Sequence, residues 1–116
     1  MGQTLTIKTT LNSNIDLQKF EKALDEYKNS HIMLGSLDGT LSNYLYVTLK
    51  DVACKHNDLY FENGNLVGDV YVLDTPNGKL IQSLLDNGFN FDLKPRMTKD
   101  IDGNYNIISI DLTRKI

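Results

Sequence analysis

Leu66-Val67-Gly68-Asp69-Val70-Tyr71-Val72-Leu73 runs into Asp74-Thr75-Pro76-Asn77-Gly78-Lys79 and then Leu80-Ile81-Gln82-Ser83-Leu84-Leu85-Asp86-Asn87-Gly88. The three pieces read as a buried strand, a sharp turn and a closed helix. The first is dense in Leu and Val, with Tyr71 among them, which suits a pleated and largely buried strand. Thr75 can cap the helix through its hydroxyl, and Pro76 falls at the first helical position, where the missing N–H is no loss. Leu80, Ile81, Leu84 and Leu85 share one helical face, and Gly88 supplies a left-handed stop.

Outward from this block the chain alternates between strand and turn signals. In 4–11, Leu5, Ile7, Thr9 and Leu11 share one side of a strand. Asn12-Ser13-Asn14 is a turn, and Asp16 caps a helix whose apolar stripe is Leu17, Phe20, Ala23, Leu24 and Tyr27. Asn29-Ser30 ends that helix, His31-Ile32-Met33-Leu34 opens a short extended segment, and Leu37-Asp38-Gly39-Thr40 turns. Residues 44–54 read as a strand, with Tyr44, Tyr46, Thr48 and Lys50 alternating against Leu45, Val47, Leu49 and Asp51. Lys55-His56-Asn57-Asp58 reads as its break. Asn63-Gly64, between Leu59-Tyr60-Phe61 and Leu66-Val67, is the strongest hairpin signal. Phe89-Asn90-Phe91-Asp92-Leu93 alternates again, Asp102-Gly103 makes a second tight turn, and 105–112 forms a last strand. The expectation is an α+β fold: a mostly antiparallel β-sheet or barrel of about seven strands with two helices.

At 116 residues the chain is expected to be one domain, 1–116, large enough for a real core. A net charge of -3 with dispersed basic residues gives no footprint for nucleic acid or an anionic membrane. No apolar run is long enough to cross a bilayer, and the N-terminus lacks a secretory pattern. A soluble protein of a reducing compartment is therefore expected. Cys54, the one cysteine, lies beside Val52 and Ala53 and is expected to be a buried structural thiol.

Motif chemistry is sparse. Gly78-Lys79 opens a helix, but the places of the upstream glycine and downstream hydroxyl of a phosphate loop hold Leu73 and Leu80. Asp100-Ile101-Asp102-Gly103-Asn104 resembles a calcium loop, yet its glycine stands fourth and Asp111 is a poor twelfth ligand, so a hairpin turn is the reading. His31, His56 and Cys54 have no zinc spacing, and His56 beside Asn57 and Asp58 reads as a solvated turn residue. No metal, cofactor or catalytic constellation is expected from spacing alone.

Several of these motifs resemble the capsid-maturation (prohead) serine proteases of tailed phages, whose fold is shared with the herpesvirus assembly protease. The likeness spans 4–113. It rests on the opening strand, Asn-rich turn and helix, on Gly35-Ser36-Leu37, on Asn57-Asp58-Leu59-Tyr60, and above all on the Gly68-to-Gly88 block with its Thr-Pro-x-Gly-Lys turn. The resemblance implies a prohead-protease-like fold. It also implies a catalytic His just after the Gly-x-Leu segment, where this chain has Asp38-Gly39-Thr40. The nucleophile belongs in a Ser-Ser-Arg-Gly element after the helix, where this chain has Lys94 and Pro95 before Arg96. Asp51 lies near a family carboxylate, but an orienting acid is idle without base and nucleophile.

Three functions follow as expectations. The first is a non-enzymatic virion protein, an accessory or auxiliary capsid subunit on a degenerate protease fold. It would be made in the host cytoplasm and bind the phage major capsid protein or other virion proteins, with Tyr44, Tyr46, Tyr60, Phe61 and Tyr105 as contact candidates if they are not core. The second is an active maturation protease with relocated residues, Ser36 or Ser42 with His31 or His56. The third is a phage-encoded inhibitor of a host or defence protein.

Overall fold

A computed structural model describes residues 3–30, 32–38 and 47–115. In chain order the elements are β1 (Thr4–Thr10), α1 (Leu17–Ser30), β2 (Leu34–Ser36), a 3-10 turn (Leu49–Asp51), β3 (Val52–Glu62), β4 (Asn65–Val72), α2 (Pro76–Asp86), β5 (Phe91–Lys99) and β6 (Tyr105–Arg114). The fold is α+β, as expected, with every strand pair antiparallel in a four-stranded sheet β1-β4-β3-β2 and a two-stranded sheet β5-β6.

The opening block sits where its composition demands. β4 lies between β1 and β3, and Leu66, Val67, Val70 and Val72 are all buried. It enters through the Asn63-Gly64 turn, where φ is 52° and 80°; two successive positive φ values are what a two-residue hairpin needs to match strand twist. α2 leaves through Thr75, whose Oγ1 accepts from the Gly78 N–H at 3.1 Å and donates to the Val52 carbonyl at 2.6 Å. Gly78 has a steric reason: a Cβ there would overlap the Leu73 carbonyl oxygen and crowd that of Ala53. The helix can therefore lie directly on the ends of β3 and β4. Ile81 is fully buried and Leu84 and Leu85 half-buried, but Leu80 is 45% exposed, so the apolar face is narrower than its four candidates.

α1 is capped as the sequence suggests, with Asp16 Oδ1 accepting from the Gln18 and Lys19 N–H groups at 3.1 and 3.2 Å. Phe20, Ala23, Leu24 and Tyr27 are buried and Leu17 is exposed. Phe20 meets Phe61 edge-on at 5.4 Å and Tyr105 at 6.4 Å, a favoured aromatic geometry.

The two sheets close on each other. On one side Leu37 makes a parallel bridge to Leu112 and the Asp38 N–H donates to the Leu112 carbonyl at 2.8 Å. On the other, Thr9 Oγ1 accepts from the Leu93 N–H at 2.8 Å. The strands thus run round in the order β1-β4-β3-β2-β6-β5, with the last seam held by side chain rather than ladder. Strand β5 pairs with β6 on one side, and its other edge accommodates Pro95.

Two expectations are corrected. Of the strand expected over 44–54, residues 44–46 lie outside the described set, Val47 and Thr48 are irregular, and Leu49–Asp51 is a 3-10 turn. Lys55-His56-Asn57-Asp58 is no break: β3 runs through it, with a register shift between His56 and Asp58. That merges two expected strands and gives six among the described residues rather than about seven. The polar run survives in a strand because each residue is placed. Lys55 and Asn57 face water, and the Asp58 carboxylate takes the Lys28 ammonium at 3.1 Å and the Leu59 N–H at 2.9 Å. His56, expected in solvent, is 1% exposed.

Candidate site on the polar face of the β5–β6 hairpin

Alternate residues of the hairpin give it one polar face. Asp92, Lys94 and Arg96 on β5 stand across from Thr113, Asp111 and Ser109 on β6. The end of β2 and the two residues after it lie over this face, and they divide it into a wet part and a dry part.

At the wet part, Lys94 Nζ is 3.2 Å from Asp38 Oδ2, with side chains 57% and 28% exposed. Thr113 Oγ1 donates to the same oxygen at 3.2 Å. Beside them lies a groove of about 440 Å³ whose walls include Leu11, Ile15, Leu93 and Pro95. Asp38, the first residue of the run where the resemblance implies a base, and Lys94, one of the two where it implies a nucleophile, are thus brought together. The described residues place an ion pair and a threonine hydroxyl there and no imidazole. Gly39 and Thr40 lie outside the described residues.

At the dry part, Arg96 Nε is 3.0 Å from Asp111 Oδ2 with both side chains at most 3% exposed. Asp111 Oδ1 also accepts from Ser109 Oγ at 2.8 Å and the Ser36 N–H at 2.9 Å, and Arg96 Nε donates to Ser109 Oγ at 3.0 Å. Burial raises the Asp111 carboxyl above its ordinary range, and the Ser36, Ser109 and Arg96 donors hold it back. On β3, His56 Nε2 donates to the Ile110 carbonyl at 2.6 Å, which fixes the neutral tautomer. Burial lowers its pKa to about 4 and raises the Cys54 thiol and Tyr27 phenol to about 12 each. Cys54 is buried, as expected. Ser36 Oγ and His56 Nδ1 are buried and have no hydrogen-bond partner among the described residues.

The residues weighed for relocated catalysis fare unequally. Ser36 and His56 lie in the same dry core, closed to a peptide substrate; Ser42 and His31 lie outside the described residues. Asp51 is buried in the 3-10 turn, with its carbonyl accepting from Asn77 Nδ2 of α2 at 3.0 Å. Of the aromatic contact candidates, Tyr105 is buried and Phe61 half-buried against Phe20, Tyr60 is 39% exposed, and Tyr44 and Tyr46 are not described. The Asp100 carboxylate closes the hairpin tip by accepting from the Asp102 and Asn104 N–H groups, each at 2.9 Å. Lys79 pairs with Asp74 at 3.6 Å in solvent. Among the described residues no group of three His, Cys, Asp or Glu is placed to hold a metal.

No family model and no curated relative matches the sequence. Among solved structures, the chain is similar to the bacteriophage T4 capsid assembly protease gp21, with a TM-score of 0.64 and 16% identity over 93% of this chain and 80% of that one. At that identity the likeness is one of fold, and the fold is prohead-protease-like.

Proposed function

We propose that the protein is a non-enzymatic phage virion component, an accessory subunit that associates with capsid proteins through protein–protein contacts on a protease-like fold. The observation that carries the reading is the Lys94–Asp38 pair at 3.2 Å. Acyl transfer by a serine protease needs a hydroxyl nucleophile and an imidazole that takes its proton. Of the positions that the resemblance implies for base and nucleophile, 38–40 and 94–95, Asp38 and Lys94 bear a carboxylate and an ammonium: an ammonium cannot attack as a hydroxyl would, and a carboxylate already accepting from two donors is no imidazole. The T4 protein of similar fold is by its name a capsid assembly protease, and this supports capsid proteins as the class of partner.

Two measurements test the reading together. Mass spectrometry of purified virions of the encoding phage is expected to find the chain in mature particles. A fluorophosphonate probe, and co-expression with the major capsid protein, are expected to give neither labelling nor cleavage. Absence from particles removes the virion role, and cleavage abolished by a Ser→Ala substitution restores the protease.

A further inference from the structure

Strand β2 is three residues long, yet the closure between the two sheets depends on it. Toward β6 the join consists of the Ser36 N–H on Asp111, the Leu37–Leu112 bridge, the Asp38 N–H on the Leu112 carbonyl, and the His56 ring. His56 belongs to β3 and reaches past β2 to the Ile110 carbonyl of β6. It passes close under Gly35, where an added Cβ would press on Nε2 and Cys54 Sγ and overlap the Ile110 oxygen. The ring is therefore a tie between the sheets, held in a space with no slack.

We propose that His56 is a proton-operated latch: its protonation releases the 34–38 segment from β6 while the β1–β4 and β5–β6 ladders stay closed. A second proton would go to Nδ1, which is buried and has no acceptor among the described residues. Among the described residues, the ionisable groups around it supply no compensation. Tyr27 on α1 and Cys54 on β3 are neutral, because burial holds their protons. Asp111 on β6 is engaged by Arg96 of β5, Ser109 and the Ser36 N–H. An imidazolium in this space is relieved when water reaches it, and the join is the way in that lies beside the ring. Among the described residues it is held by these bonds rather than by a ladder, against seven paired residues in β1–β4 and nine in β5–β6. Release of β2 also draws Asp38 away from Lys94 and Thr113, so the latch couples the dry core to the wet surface site.

The sign follows from linkage. A histidine at about 4 when closed and about 6.5 when open favours the closed state above the open-state value and loses that preference as pH falls toward the closed-state value. Amide hydrogen exchange on the whole chain, corrected for intrinsic rates, reads it directly. Between pH values near 7 and near 5, the opening constant at the Ser36 and Asp38 amides is expected to rise about twentyfold, while amides within β1–β4 change by less than about threefold. His56→Gln, whose amide can still donate to the Ile110 carbonyl, is expected to flatten the profile, and His31→Gln to leave it intact. If His56→Gln does not fold, the wild-type profile decides alone. Equal loss across both ladders, no pH response at the join, or a response that follows His31 overturns the latch.

Discussion

The buried Arg96–Asp111 pair makes a sharp energetic prediction. Asp111→Asn keeps the size and shape of the side chain but removes the carboxylate paired with the Arg96 guanidinium, which is 3% exposed. Removing one partner of a desolvated pair costs about 3–5 kcal/mol, whereas replacing both with apolar residues of similar volume is often neutral. The Asn side chain can still accept from Ser36 N–H and Ser109 Oγ, so the lower end, about 3 kcal/mol, is expected. For a chain of this length that lowers Tm by roughly 10–20 °C. Arg96→Met alone is expected to cost a similar amount, since Asp111 then has no cation. The double variant Arg96→Met/Asp111→Asn, whose amide oxygen still accepts from the Ser36 N–H and Ser109 Oγ, is expected to cost well under the sum of the two single costs, a coupling energy of up to about 3 kcal/mol across the cycle. Urea unfolding at neutral pH measures all four corners. The raised carboxyl adds a second signature: an acid whose folded pKa lies above its unfolded value gains stability as pH falls through the folded pKa, a gain complete below the unfolded one. Asp111→Asn therefore also removes an acid-side gain that opposes the His56 loss. A cost under about 1 kcal/mol for either single variant, or additive costs in the double, would refute the description of this pair as desolvated and coupled.

Gly78→Ala is expected to cost more than about 2 kcal/mol, because its new methyl overlaps backbone carbonyls that cannot turn aside, while Gly88→Ala, at φ 87° with open space around it, is expected to cost about 1 kcal/mol from conformation alone. Chemical denaturation of the two variants checks the order. Lys94→Ala is expected to leave stability within about 0.5 kcal/mol of wild type, since the pair it breaks is largely solvated; a larger loss means that Lys94 holds the join rather than decorating it.

Local rules carried most of the fold. Thr75, Pro76 and Gly88 bound α2 where capping chemistry puts them, Asp16 opens α1, and Asn63-Gly64 turns the β3–β4 hairpin. What failed was composition read as conformation at Lys55-His56-Asn57-Asp58. Strand or turn there depends on whether the one inward residue finds an acceptor, and the acceptor is the Ile110 carbonyl, 54 positions away. The Arg96–Asp111–Ser109 cluster was legible only in part. Counting from the Asp102-Gly103 turn gives Lys99–Tyr105 to Met97–Ile107 but would set Arg96 across from Ile108; a register shift between Arg96 and Met97, which no local signal announces, puts Arg96 across from Ser109 and Lys94 across from Asp111. The Lys94–Asp38 pair was hidden for another reason: it depends on β2 reaching β6.

Along the polar face of β5–β6, the chemistry changes with water rather than with residue type. Asp111 and Asp38 are both carboxylates receiving a cation and a hydroxyl, from Arg96 with Ser109 in one case and Lys94 with Thr113 in the other. Under β2 the arrangement is dry, so an unpaired member is expensive and the set is held as a unit. Past the end of β2 the same arrangement is wet, and the pair adds little to stability. A substitution at Arg96 or Asp111 is therefore expected to cost the fold far more than one at residue 38 or 94. A face divided in this way can exchange its exposed groups at almost no cost to the fold. The energetic weight of the hairpin therefore lies at Asp111 and at Arg96, two residues along β5 from Lys94.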